Sequence, residues 1–149
     1  MESAPARLTS KPSWLISQLS VHVRRLVSDA FSEEGARGYH YRLLAALKEY
    51  GPSSQAALGR RCSMDRSDVT TALAQLADEE HVERSPDPAH GRRSLVTLTA
   101  SGARRLQRLD RVLEGVQDEL LAPLPESDRA ALVALLGRLV DHHGAASGT

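Results

Sequence analysis

Residues 53–82 read SSQAALGRRCSMDRSDVTTALAQLADEEHV, and the placement of their apolar side chains decides the fold. Ser53 or Ser54 caps a short helix that holds Ala57, Leu58 and Cys62. Ser63 and Met64 turn the chain. Asp65 then caps a longer helix reaching about Glu80, in which Val69, Ala72, Leu73, Leu76 and Glu80 project within one narrow arc. The opposite side carries Ser67, Thr71, Ala74 and Asp78, with Thr70 and Gln75 on the flanks. Two helices joined by a turn of about three or four residues, the second with small polar residues on its exposed leading edge, make a helix-turn-helix.

The continuation, VERSPDPAHGRRSLVTLTASG over residues 82–102, predicts a hairpin with strands at 82–85 and 94–98. Pro86 and Pro88 confine the first strand to an edge, and the tip carries Gly91, Arg92 and Arg93. An exposed arginine gains little from the fold, because a surface ion pair is worth only about 0–1 kcal/mol. A DNA minor groove, whose narrow A/T stretches concentrate negative potential, suits such a pair; the alternative is a solubilising turn. A helix-turn-helix followed at once by a hairpin is a winged helix.

Working outward, a helix is expected from Pro12 to about Phe31, with Trp14, Leu15, Leu19, Val23, Leu26 and Ala30 at helical spacing. Another runs from Tyr39 to Tyr50, carries Leu43, Leu44 and Leu47, and stops at Gly51 and Pro52. Residues 1–11 read as a flexible arm. Beyond the hairpin, Thr99 caps a long helix to about Leu121, in which Leu106, Leu109, Leu113, Val116 and Leu120 form a heptad seam for a partner helix. Pro123 and Pro125 end it. Ser127 or Asp128 opens a last helix with Leu132, Leu135, Leu136, Leu139 and Val140 inward. The expected fold is mainly α with a small β-hairpin wing. Residues 12–149 form one domain, with a DNA-binding lobe at about 39–100 and dimerisation helices at 12–35 and 101–143.

Composition agrees. Of 149 residues, 41% are hydrophobic but only one Trp, one Phe and three Tyr are present, so the core must come from Leu, Val and Ala. No apolar run is long enough for a membrane span and no secretory leader is read, so a cytoplasmic protein without a membrane partner is expected. The single Cys fits a reducing compartment. Net charge is zero, yet seven Arg face only Asp87 and Asp110 between Arg84 and Arg111. That asymmetry is either a nucleic-acid footprint or ordinary solvated helix surface. No Ser-His-acid set, phosphate-cradling glycine loop or metal-ligand spacing occurs, so neither an enzyme nor a cofactor is expected. His142 and His143 are adjacent and cannot share one helical face toward a metal.

The segment DRSDVTTALAQLADEEHVERSPDPAHGRRSLVTLTASG resembles the multiple-antibiotic-resistance regulator (MarR) family of winged-helix transcription factors. The likeness begins at YRLLAALKEYGPSSQAALGRRCSMDRS and rests on the D-R-S helix start, the D-P-x-x-G-R wing and the V-x-L-T exit. It implies a homodimeric DNA-binding protein, often a repressor, often released by a small anionic or aromatic effector. By resemblance, Asp65, Arg66, Ser67, Thr70 and Thr71 fall where the recognition helix enters the major groove. Arg92 matches the wing arginine that reaches the minor groove, with Arg93 beside it. The residues add Ser54 and Gln55, at a helix start whose amides suit phosphate, while Arg60 and Arg61 either clamp backbone or are solvated. Trp14, His22, Tyr39 and His40 belong to the helices that border the effector cleft in similar proteins, so a small aromatic or phenolic effector is a candidate ligand there. Some members sense oxidants through cysteine, but Cys62 occupies an inward slot and reads as a small core hydrophobe. Two departures stand out. His90 replaces an acid common two residues before the wing arginine, and Thr71 replaces a frequent basic side chain. The alternative function is a winged-helix module that binds an acidic protein partner.

Overall fold

The computed structural model describes residues 2–147. In chain order the elements are α1 (Ala6–Thr9), α2 (Pro12–Glu33), α3 (Gly38–Tyr50), α4 (Gln55–Cys62), α5 (Arg66–Asp78), β1 (Val82–Asp87), β2 (His90–Leu98), α6 (Ala100–Leu120) and α7 (Glu126–Ser147). Two compact units divide the chain, Met1–Val116 and Gln117–Thr149.

Local chemistry sets the helix ends in the first unit. Pro12 opens α2, where a missing N–H costs nothing. Gly51 stops α3 in a positive-φ conformation (75°) that a side chain would resist, its N–H bonded to the Leu47 carbonyl at 2.9 Å. Ser54, not Ser53, caps α4 by accepting the Ala57 N–H at 3.2 Å. Ser53 instead exchanges two backbone hydrogen bonds with Val96 (3.0 and 2.8 Å), adding a short third edge to the hairpin. Asp65 caps α5 by accepting the Asp68 N–H at 2.8 Å.

The core is aliphatic, as composition requires. Leu43, Leu44 and Leu47 of α3 meet Leu58 of α4, Val69, Leu73 and Leu76 of α5, Val82 and Val96 of the hairpin, and Leu106 and Leu109 of α6. Each such burial contributes about 1.5–3 kcal/mol. Gly102 lets α6 start against the chain leaving α5: a Cβ there would lie 2.1 Å from the His81 carbonyl oxygen.

Several expectations are corrected. Residues 6–9 of the supposed flexible arm form a helical turn, although their side chains are exposed. Helix α5 ends at Asp78, so Glu80 is not in its buried arc; it is exposed with φ 63° while the His81 N–H returns to the Leu76 carbonyl. The strands run further than 82–85 and 94–98. Pairing proceeds from Val82 with Leu98 to Pro86 with Ser94, then slips so that Asp87 meets His90. Gly91, Arg92 and Arg93 are therefore a bulge in the returning strand rather than the turn itself.

The heptad seam of α6 is also largely spent inside the chain. Leu106 and Leu109 are in the core, Leu113 packs against it, and Val116 is buried, which leaves little of that stripe for a partner; Leu120 is half-buried. The expected inward face of α7 is not buried. Leu135, Leu136, Leu139 and Val140 are exposed and Leu132 is only half-buried. That helix begins at Glu126, its first turn held by the Pro125 carbonyl accepting the Asp128 and Arg129 N–H groups.

Candidate nucleic-acid interface

Five residues of α5, Arg66, Ser67, Thr70, Thr71 and Ala74, are exposed on the side away from the core, as the arc of Val69, Ala72, Leu73 and Leu76 dictates. The Asp65 carboxylate at the helix start is held below the usual carboxylate range by the Asp68 backbone N–H and then the Ser67 hydroxyl. Ser67 thus spends its proton on Asp65 at 3.0 Å. Thr70 spends its own on the Arg66 carbonyl at 2.8 Å and accepts from Gln55 at 2.5 Å. Among the described residues, the side chains of Thr71 and Arg66 have no such partner, so they are the donors left free on this edge.

Arg92 and Arg93 are exposed on the wing, and among the described residues neither has a carboxylate partner. Asp87 does not reach them; its side chain accepts the Ala89 N–H at 2.9 Å and shapes the turn. His90 is exposed. Arg84 of β1, a residue the sequence reading passed over, lines a shallow groove on the hairpin together with Arg92 and Arg93. Its signal was weak, because only strand register shows that it stands opposite Val96 and near the start of α4.

Of the residues left open around α4, Arg61 stacks on Tyr50, its guanidinium carbon 3.7 Å from the ring centre. Arg60 borders a recess with Gln55, Met64 and Arg66. Cys62 is buried, its thiol donates to the Arg42 carbonyl at 3.3 Å, and burial pushes its pKa up, against the opposing charge of Arg42. A thiol held so is poorly reactive. Tyr41 ties α3 to α6 by donating to Asp110 at 2.7 Å, and its pKa is pushed up to about 12, first by burial and then by that carboxylate.

A cleft of about 620 Å³ opens between α2 and α3, lined by Val23, Val27 and Tyr39 together with Arg24, Arg37 and Arg42; the Arg42 guanidinium lies 5.8 Å from the Tyr39 ring centre and donates to the Cys62 carbonyl at 3.4 Å. Of the four residues expected to border an effector, only Tyr39 lines it. Trp14 and His22 do not; His22 instead meets Arg25 at 3.3 Å. His40 lines the adjoining recess with Arg37 and Gln75, and its ring is occupied. Its Nδ1 accepts the Arg37 backbone N–H at 3.2 Å, which leaves Nε2 to donate to Gln75 Oε1 on α5 at 2.7 Å. The three arginines of the cleft were missed because residues 24, 37 and 42 show no common spacing.

A family model described as MarR family matches residues 35–93. The transcriptional repressor NicR of Pseudomonas putida is 33% identical over 98 residues, 66% of this chain and 62% of its own length. The match therefore spans less than two thirds of that repressor. An HTH-type transcriptional regulator of Mycobacterium bovis is 32% identical over 133 residues, 89% of this chain and 90% of the relative. Among solved structures, the PcaV transcriptional regulator of Streptomyces coelicolor in complex with its natural ligand superposes with a TM-score of 0.77 at 29% identity, covering 95% of this chain and 98% of that one. These relatives are regulators of transcription rather than enzymes.

Proposed function

The chain belongs to the MarR family of winged-helix transcriptional regulators, and we propose that it acts in the cytoplasm as a homodimeric repressor on an inverted-repeat operator, released by a small effector. Each α5 enters a major groove, where Arg66 and Thr71 offer free donors to base edges and phosphates. Each wing places Arg92, with Arg93, at the flanking minor groove. A two-fold axis sets the two helices about 34 Å apart, one turn of duplex. The exposed apolar side chains of α2 (Leu15, Ile16, Leu19) and of α7 supply the surface joining the copies. The observation that carries this reading is the pair of unpartnered wing arginines following a helix-turn-helix whose polar edge faces solvent.

The cleft beside α3 suits a small aromatic acid: Val23, Val27 and Tyr39 take the ring and the guanidinium groups the charge. The likeness to PcaV, solved with a natural ligand, supports ligand modulation. An occupant that shifts Arg37 is felt at α5 through His40 and Gln75. Regulation requires that the occupant prefer one arrangement of the two heads over the other.

Sequencing the genomic fragments that the purified protein retains tests the proposal. Enrichment of inverted repeats is expected, as is release by some aromatic acids in a subsequent screen. Recovery of fragments with no shared sequence contradicts it.

A further inference from the structure

The recognition helix and the wing are joined by one side chain. Gln55, the first residue of α4, donates through Nε2 to Thr70 Oγ1 on α5 at 2.5 Å and accepts through Oε1 from Arg84 Nη1 on β1 at 3.3 Å. The Arg84 guanidinium can only donate, so its bond to Oε1 fixes the orientation of the amide. Backbone register brings the parties together: Arg84 pairs with Val96, and Val96 pairs on its other side with Ser53, two residues before Gln55.

We propose that Arg84 is a further DNA-contacting residue, gripping the phosphate strand between the two grooves, and that Gln55 is the positioning residue that holds it. The inference rests on the DNA-binding reading above. A major groove and the minor groove beside it are separated by one sugar–phosphate strand. A protein with α5 in the first and its wing in the second must straddle that strand. The side chains bridging α5 and β1 then face it. The Arg84 guanidinium carries five N–H donors, of which Gln55 engages one; the rest are exposed and suited to phosphate oxygens. Thr70 is already saturated as a donor by the Arg66 carbonyl. Its hydroxyl is therefore an anchor for Gln55 rather than a donor to DNA. Phosphate contacts set register and base contacts set sequence. A fixed Arg84 aligns the helix and the wing on the duplex.

The test uses the full chain, a duplex selected by the wild-type protein from a random-sequence pool, and a scrambled duplex, each titrated over a range of salt. Arg84→Ala is expected to weaken binding to both duplexes about tenfold and to lower the salt slope by about 0.9. Arg84→Lys keeps the slope. Gln55→Ala is expected to weaken the selected duplex severalfold with the slope unchanged, and to shrink the further loss caused by Arg84→Ala. Thermal melts matching the wild type show that neither exposed Arg84 nor half-buried Gln55 is needed for folding. If Arg84→Ala leaves affinity and slope unaltered, or if the losses from the two alanine substitutions simply multiply, the clamp is overturned while the DNA-binding reading stands. A wild-type chain that selects no duplex overturns that reading and the clamp with it.

Discussion

The lobe from α3 to β2 and the terminal helix α7 are made of the same aliphatic residues and end in opposite states. Leu43 and Leu44 are 0% exposed, whereas Leu135 is 55% and Val140 69% exposed. In the lobe, three helices and a hairpin close over one core, and Leu43, Leu44, Leu47, Leu58, Leu73 and Leu76 are all spent on it. In α7, described residues 126–145 include none that is buried. An exposed run of leucine and valine on a helix marks a surface for a partner. Aliphatic content alone does not distinguish these uses; what decides is whether the same chain supplies the covering surface.

The largest effect belongs to the lobe. Leu73→Ala removes a side chain with no exposed surface and should cost about 3 kcal/mol, read as a lower urea midpoint with the slope unchanged. A loss as small as a surface substitution gives would mean that the lobe is not packed as described. Next, replacing Leu135 and Leu139 together by Glu should leave the lobe folded but produce monomers in sedimentation. Operator affinity should fall about 100-fold as the two heads lose their linkage. A dimer that survives breaks the contrast between the two regions. Third, Arg92→Ala should leave the melting temperature in place while weakening DNA binding about tenfold and lowering the salt slope by about one charge. Unchanged binding would remove the wing from the interface.

The smallest effect sharpens the lobe side of the contrast. The Tyr41 hydroxyl ionises in the native state only at about 12, against an ordinary value of 10.0. The native state therefore holds this proton more tightly than the unfolded chain. Its contribution is complete below pH 10.0 and drains away as pH rises toward 12. Tyr41→Phe should flatten that alkaline decline in denaturation curves. At neutral pH it should cost only about 1 kcal/mol for the lost hydrogen bond to Asp110. An alkaline decline identical in both proteins would place its source elsewhere.

What could be read before the structure was what chemistry fixes within a few residues. Asp65 and Ser54 declare helix starts because a side-chain oxygen reaches an N–H three residues on. The arc of Val69, Ala72, Leu73 and Leu76 declares the buried side of α5, and with it the polar edge. The winged-helix order followed from such local signals. The heptad seam failed differently: its spacing says that Leu106 and Leu109 face another element, not whether that element belongs to the same chain. The arginine bulge depends on a register slip between Pro86 and Asp87, which strand propensity does not encode. The sequence suits His40 to a ligand and Gln55 to phosphate, yet each is engaged by a residue remote in sequence. His40 meets Gln75 thirty-five positions away and Gln55 meets Thr70 fifteen positions away. Polar side chains carry no mark of such partners.

The central claim is that two copies, joined through their outer helices, read successive turns of one duplex. Its most direct test is binding stoichiometry and affinity on two inverted repeats that differ only by an insertion of about 5 bp, half a helical turn, between the half-sites. Two chains should bind the original repeat cooperatively and lose most of that affinity on the lengthened one. One chain per half-site, bound equally well at either spacing, would contradict the claim.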